Sequence, residues 1–337
     1  MKSPITGGEV KIQTNLEELE FRGENFDIVY HNYKCVDTGE EFTTSKLDDL
    51  NLSQLHNKYR AKHKIPFPED IQSIRNKYGV SQNKMSLILG FGKNTYRKYE
   101  HGDIPSLSNA KLIKIAKDPE EFIKLVEDCD ELKDSEQKDI IERAEQELDG
   151  KESRIFFGVY HWLFNKYSEP SELNGFTKPS LDKFINMVKF FASERGQEPY
   201  KTKLNKLLFY SDFLHYKKHG RSISGVNYRA ITLGPVPNRY DSLFDLGVDR
   251  DEFSIEYIKY PNYDNPAEKF ISQKPVDNDV IGNKEIETLQ YIKDKLGSLD
   301  TQTLVDMSHE EEAWKKYQNS NEAINYENAF KLKYPDD

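Results

Sequence analysis

The stretch from Asp70 to Gly102 constrains this 337-residue chain more than any other. Ile71, Ile74 and Tyr78 share one face of a first helix, which Gly79 ends. Ser81 is a good N-cap for a second helix, whose Met85, Ile88 and Leu89 point inward. Gly90-Phe91-Gly92 makes a tight turn, and a third helix is expected to open near Lys93. At 100° per residue Tyr96 and Tyr99 face the core. Asn94, Arg97, Lys98 and His101 then gather on the opposite side, with Lys93 and Thr95 at the exposed N-terminal end. Reading a DNA groove requires such a helix, buried on one side and offering long donors on the other. Arg grips guanine and Asn grips adenine through paired hydrogen bonds. Lysines and the Ser81-Gln82 helix start would hold phosphates.

Net charge is −10, which is unexpected for a DNA binder until it is resolved along the chain. Between Leu55 and His101 ten cations meet three anions, a local +7 that leaves −17 for the rest. A basic island in an acidic chain is an electrostatic footprint for nucleic acid, and equally describes a solvated helical surface. Cys35 and Cys129 are too few for a disulfide scaffold, so a reducing cytoplasm is expected. No apolar run approaches the roughly 18 residues of a membrane span, so no membrane partner is expected.

From Ser81 to Gly102 the chain reads S-Q-x-x-M-S-x-x-L-G-F-G-K-N-T-Y-R-K-Y-E-x-G. This resembles the Xre/Cro-type helix-turn-helix, S-Q-x-x-L-A-x-x-L-G-V-S-x-x-T-I-S-x-W-E-x-G. The resemblance implies that Gln82 contacts phosphate, that residues Lys93 to Lys98 approach bases, and that Glu100 pairs structurally with Arg75. The DNA-binding set is therefore Ser81, Gln82, Lys93, Asn94, Thr95, Arg97 and Lys98.

Residues 1–47 read as a small β unit, from VKIQ, LEFR, FDIVYHNYKC and EEFTT. Its expected core is Ile12, Leu19, Phe21, Ile28, Tyr30 and Phe42. KSPITGG and KCVDTGEEF have the layout of two zinc knuckles. The first hundred residues resemble MqsA-type antitoxins, which carry C-P-x-C-G and C-x-x-C-G there. The corresponding positions in this chain are Ser3, Thr6, Cys35 and Thr38. One thiolate and three neutral hydroxyls do not make a structural zinc site, so no metal is expected. A coincidence of spacing remains the alternative.

Lys201 to Asp245 reads as an aromatic helix, a stop at Gly220, a strand, a Gly-Pro-Val-Pro turn and another helix. With Glu312-x-Trp314-Lys315 it resembles the SocA-like Panacea domain over residues 180–332. Members of that family serve mostly as antitoxins, and one relative is a proteolysis adaptor. Leu204, Leu207, Leu208, Phe209 and Leu214 read as core. Lys206, Tyr210, Asp212, His215, Tyr228, Pro235, Pro237 and Trp314 are candidates for toxin contact; an internal role around the Gly-Pro-Val-Pro turn stays open, and Trp314 reads equally as core or anchor. His215 and His219 lie i, i+4, where a metal pair or a capping role before Gly220 are the alternatives.

No P-loop, G-x-G-x-x-G after a strand, or H-E-x-x-H occurs, so neither an enzyme nor a cofactor is expected. The expected fold is α+β, mainly α: a degenerate zinc-finger-like β unit (1–47), a helical linker (48–65), a five-helix Xre-type domain (66–128), an acidic helical linker (129–152) and a mainly α domain with a small antiparallel sheet (153–335). The expected function is a type II antitoxin that neutralises a protein toxin and represses its own operon, with operator double-stranded DNA and a second copy as further partners and a cellular protease as a candidate one. A stand-alone prophage regulator and a proteolysis adaptor are the alternatives.

Overall fold

The computed structural model describes residues 1–147, 162–164, 167–193, 198–261, 265–320 and 322–335. It is α+β and mainly helical, in two compact units. One contains residues 1–55 and 161–337, the other residues 56–160. The β unit that the sequence sets apart is therefore grouped with the C-terminal half. The sequence also predicts an aromatic helix near 155–167, most of which lies outside the described residues; 162–164 are helical.

The first unit opens on an antiparallel hairpin, β1 (Val10–Phe21) and β2 (Glu24–Cys35), turning at Arg22-Gly23. A short β3 (Glu41–Phe42) adds to β2. VKIQ and Leu19-Glu20-Phe21 belong to one continuous strand, which corrects the expected core. Side chains alternate along a strand, so Ile12 and Leu19 face opposite sides. Ile12 is opposite Tyr33 and is 56% exposed, while Ile28 and Phe26 are buried with Leu19 beside Phe26.

Helix α1 (Ser45–His63) runs past the outer edge of β2. Asn51 Oδ1 accepts from His31 N at 2.9 Å and its Nδ2 donates to His31 O at 2.9 Å. Gln54 does the same for Val29, at 3.1 and 2.8 Å. Two amide side chains thus stand in for a strand and satisfy backbone groups that burial would otherwise penalise. Asn51→Ala leaves a buried N–H and C=O unpaired; the expected loss is about 2–3 kcal/mol, measured by urea unfolding.

The C-terminal part of this unit is built around α9 (Lys201–His219), buried on all sides from Leu204 to Tyr216. Around it lie α8 (Leu181–Ala192), α10 (Tyr240–Asp249), α11 (Asn283–Leu296), α12 (Thr301–Glu310), α13 (Glu312–Lys315) and a 3-10 turn at Tyr326–Lys331. Two hairpins complete it: β4 (Tyr228–Ile231) with β5 (Gly234–Pro237), and β6 (Ser254–Ile258) with β7 (Ala267–Ile271). The Gly-Pro-Val-Pro segment is a strand, not a loop. Asn238 N donates to Asn227 O at 2.8 Å, so even-numbered residues bond to β4. Pro235 and Pro237 aim their nitrogens away from the ladder, which is why the strand tolerates them.

The second unit holds α2 (Pro68–Lys77), α3 (Gln82–Ile88), α4 (Thr95–Glu100), α5 (Leu107–Ile115), α6 (Pro119–Glu127) and α7 (Asp134–Gln146). Ile140 and Ala144 of α7 lie in the same core as Ile71, Tyr78, Met85, Tyr96 and Phe122. The acidic stretch is thus part of the domain rather than a tether, because one apolar stripe among its charges is enough to dock it.

Candidate functional site

Within residues 56–160 the three helices α2, α3 and α4 form the helix-turn-helix, fixed by a few specific contacts. Ser81 caps α3 by accepting from Lys84 N at 3.3 Å. Gly90 ends α3 with φ +66°, and Phe91 N returns to Ser86 O at 2.7 Å. The turn continues two residues beyond the expected helix start: Thr95 N donates to Gly92 O at 2.8 Å, so α4 opens at Thr95 with Asn94 at its N-cap. Tyr96 is fully buried and locks α4 down. Its hydroxyl donates to Ile71 O at 2.7 Å, and its N–H to Ser86 Oγ at 3.1 Å.

The outer face of this unit carries the predicted contact residues. Ser81, Lys93, Asn94, Arg97 and Lys98 are exposed, with Thr95 half-exposed. Asn94 makes no capping hydrogen bond with its side chain, so its amide is not committed to the helix end. Gln82 is placed differently from the rest: its Nε2 donates to Glu100. Glu100 also takes Arg75 at 2.5 and 3.3 Å, and Arg75 Nη1 reaches Val80 O at 3.0 Å. Gln82 therefore belongs to a buttress joining the three helices.

That buttress sorts the cations. Arg75 is held by Glu100, Lys84 by Glu136 at 2.9 Å and Lys77 by Glu147 at 4.0 Å. Among the described residues no ion pair involves Lys93, Arg97 or Lys98. Three cations without an ion pair among the described residues thus sit on and just before α4.

The eight C-terminal candidates lie mostly inside the first unit. Lys206, Tyr210, Asp212, His215 and Tyr228 are buried, as are Pro235 and Pro237. Lys206 Nζ donates to Pro235 O at 3.0 Å, and burial pushes its ammonium down to about 7. Gly234, at φ +99°, leaves room for it: a Cβ there would meet Lys206 Nζ at 2.8 Å and would clash with Ser308 Oγ. Tyr210 donates to Glu311 at 3.4 Å, and Glu311 also takes Lys333 N and Tyr334 N at 2.9 and 3.1 Å. His215 Nδ1 lies 2.9 Å from Thr288 Oγ1, and burial holds its pKa well below the usual value. Asp212 receives Ile223 N and Ser224 N at 2.8 Å, Ser224 Oγ at 2.5 Å and Tyr228 Oη at 2.9 Å.

These residues cannot touch a partner without unfolding the domain. The reading of Lys206, Tyr210, Asp212, His215, Tyr228, Pro235 and Pro237 as contact residues is corrected: they tie α9 to β5, the 222–228 segment and the chain end. Trp314 is half-buried, stacks on His309 at 3.9 Å and donates to Ile231 O at 2.8 Å.

The knuckle positions do converge. Ser3 O accepts from Gly7 N at 2.8 Å, and Ser3 Oγ accepts from Ile5 N and Thr6 N at 3.2 and 3.4 Å. The second loop repeats the turn, with Gly39 N on Cys35 O at 2.9 Å. Gly7 and Gly39 have φ of +76° and +74°. Thr6 Oγ1 lies 3.4 Å from Cys35 Sγ and donates to Asp37 at 2.7 Å. Hydrogen bonds from Ser3 and then Thr38 hold the Cys35 thiol down to about 6.

Residues 1–129 match the family model of the antitoxin component of bacterial toxin-antitoxin systems, MqsA. Residues 204–315 match that of the SocA-like antitoxin, Panacea domain. The chain joins an MqsA-type antitoxin segment to a SocA-like Panacea domain. No curated protein matches it. Both segments point to an antitoxin of a toxin-antitoxin system and to a regulator rather than an enzyme. Among the described residues no helix is long and apolar enough to cross a membrane.

Proposed function

We propose that this antitoxin is of type II, neutralising a cognate protein toxin by direct binding and repressing its own operon through the helix-turn-helix. The observation that carries the operator reading is the segregation of charge. Arg75, Lys77 and Lys84 are paired with carboxylates, whereas Lys93, Arg97 and Lys98 face solvent beside an uncommitted Asn94. Long unpaired donors at the start of a helix anchored by a buried Tyr96 are what base and phosphate contact requires. Ser81 and Thr95 join them at the rim, and Gln82 acts by holding Glu100. A dimer on a palindromic operator follows from the half-site geometry of such domains. The toxin is met on the outer surface, since the interior candidates are occupied with one another.

The test uses the full chain with Arg97→Ala and Lys98→Ala together. Each lost base or phosphate contact is worth about 1–3 kcal/mol, so operator affinity should fall about a hundredfold or more, with a shallower salt dependence. Rescue of cells from the toxin encoded beside the gene should persist. Unchanged affinity for the promoter fragment would remove DNA binding from the proposal. Failure of the wild-type chain to rescue would remove neutralisation.

A further inference from the structure

We propose that the free edge of β1 pairs antiparallel with β1 of a second copy of this chain, about a two-fold axis through Thr14. The inference rests on the strand and not on the operator reading. β1 is the outer strand of the sheet order β1-β2-β3 and has no proline; Lys2 bridges Glu9 at its start, so among the described residues its open edge begins at Lys11 and the pairing is confined to Lys11–Glu17. The far edge of the sheet is covered by Asn51 and Gln54, whereas Ile12, Thr14, Leu16 and Glu18 of β1 are exposed. Ile12 and Leu16, on either side of Thr14 on one face of this edge strand, are 56% and 74% exposed.

The backbone phase is fixed. Glu9 O accepts from Val36 N at 3.0 Å, and the β1–β2 register runs without interruption from Val10↔Cys35 to Phe21↔Glu24. Odd-numbered residues therefore bond β2, and Ile12, Thr14 and Leu16 present their N–H and C=O groups outward.

The side-chain pattern is self-complementary about Thr14. Pairing Thr14 with its own copy sets Gln13 opposite Asn15, Ile12 opposite Leu16 and Lys11 opposite Glu17. The two exposed aliphatic residues cover each other on one face, and opposite charges meet on the other. Neighbouring axes fail: one through Asn15 sets Ile12 against Glu18 and Lys11 against Leu19, and one through Gln13 sets Ile12 against Thr14 and Lys11 against Asn15. Within its own hairpin Lys11 lies opposite Lys34, which pairs with Glu41, so an incoming Glu17 would give Lys11 a carboxylate of its own. The occupant whose sequence fits this edge is thus the edge itself.

Two measurements on the full chain test this. Thr14→Cys places the paired Cα atoms at roughly 5.5 Å, within disulfide range, whereas Asn15→Cys offsets them by two residues, out of range. The first variant should form a covalent dimer on oxidation and the second should not. Lys11→Glu and Glu17→Lys should each weaken dimerisation in sedimentation about tenfold, since symmetry turns two attractive pairs into repulsive ones. The double variant should restore it. A monomeric wild type, equal cross-linking at both positions, or a dimer indifferent to the charge reversals would each overturn the proposal. Circular dichroism of each variant separates these outcomes from misfolding.

Discussion

Asp212→Ala is expected to destabilise the first unit by about 4 kcal/mol, the scale of a buried charge network losing its acceptor. The carboxylate is fully buried, and four donors converge on it: two backbone N–H groups and the hydroxyls of Ser224 and Tyr228. Alanine would leave all four unpaired in the interior, next to the stacked rings of Phe213 and Tyr326. A loss below about 1 kcal/mol in urea unfolding would show that water enters and replaces the carboxylate.

The same residue gives a signed pH dependence. Burial pushes the Asp212 carboxyl up to about 6, against the opposing pull of its donors. The unfolded value is about 3.9. A raised folded value means that folding favours the protonated form. Its contribution is complete below about pH 4 and is lost as pH rises through 6, a change of roughly 3 kcal/mol. Asp212→Asn removes this titration. The stability of the wild type relative to Asp212→Asn should therefore decline between pH 4 and pH 7. A difference that stays flat, or rises, contradicts the assignment.

What the sequence discloses depends on the distance over which each feature is encoded. The helix-turn-helix is written within Ser81 to Gly102, so its N-cap, its terminating Gly90 and its buried Tyr96 are all readable in place. The start of α4 is displaced by two residues, because the Thr95 N–H bond to Gly92 extends the turn through Lys93 and leaves Asn94, a residue suited to an N-cap, at the helix end. β5 reads as a turn in the sequence because two prolines discourage a strand; only the pairing phase, set by Asn238 and Asn227, reveals that neither nitrogen is needed. The C-terminal candidates show the deeper limit. Lys206, Asp212 and Tyr228 are chemically suited to a surface, and nothing local announces that α9 is buried on every side. Their partners lie on other elements, Pro235 for Lys206 and Ser224 for Asp212. The knuckles were legible because each is a turn of a few residues closed on itself.

Those knuckles supply the second large expectation: a chain carrying Ser3→Cys, Thr6→Cys and Thr38→Cys should bind one tetrahedral zinc or cobalt ion. Four thiolates at about 2.3 Å from a metal stand roughly 3.8 Å apart. Thr6 Oγ1 and Cys35 Sγ already stand 3.4 Å apart, and the difference is what a smaller oxygen would leave. The backbone needs no rearrangement, since Ile5 N and Thr6 N already point at Ser3 Oγ, as they would at a thiolate. Binding should stabilise the β unit by about 4 kcal/mol once free metal exceeds its dissociation constant a thousandfold. Cobalt should give the intense visible bands of tetrahedral thiolate coordination, and the wild type none. A folded triple variant that bound cobalt only weakly, with the pale spectrum of an oxygen-rich octahedral site, would mean that the loops keep the turn but not the convergence of the ligands. The fold holds these loops by hydrogen bonds among hydroxyls, a thiol and Asp37, so adding the metal tests whether that network replaced zinc in place.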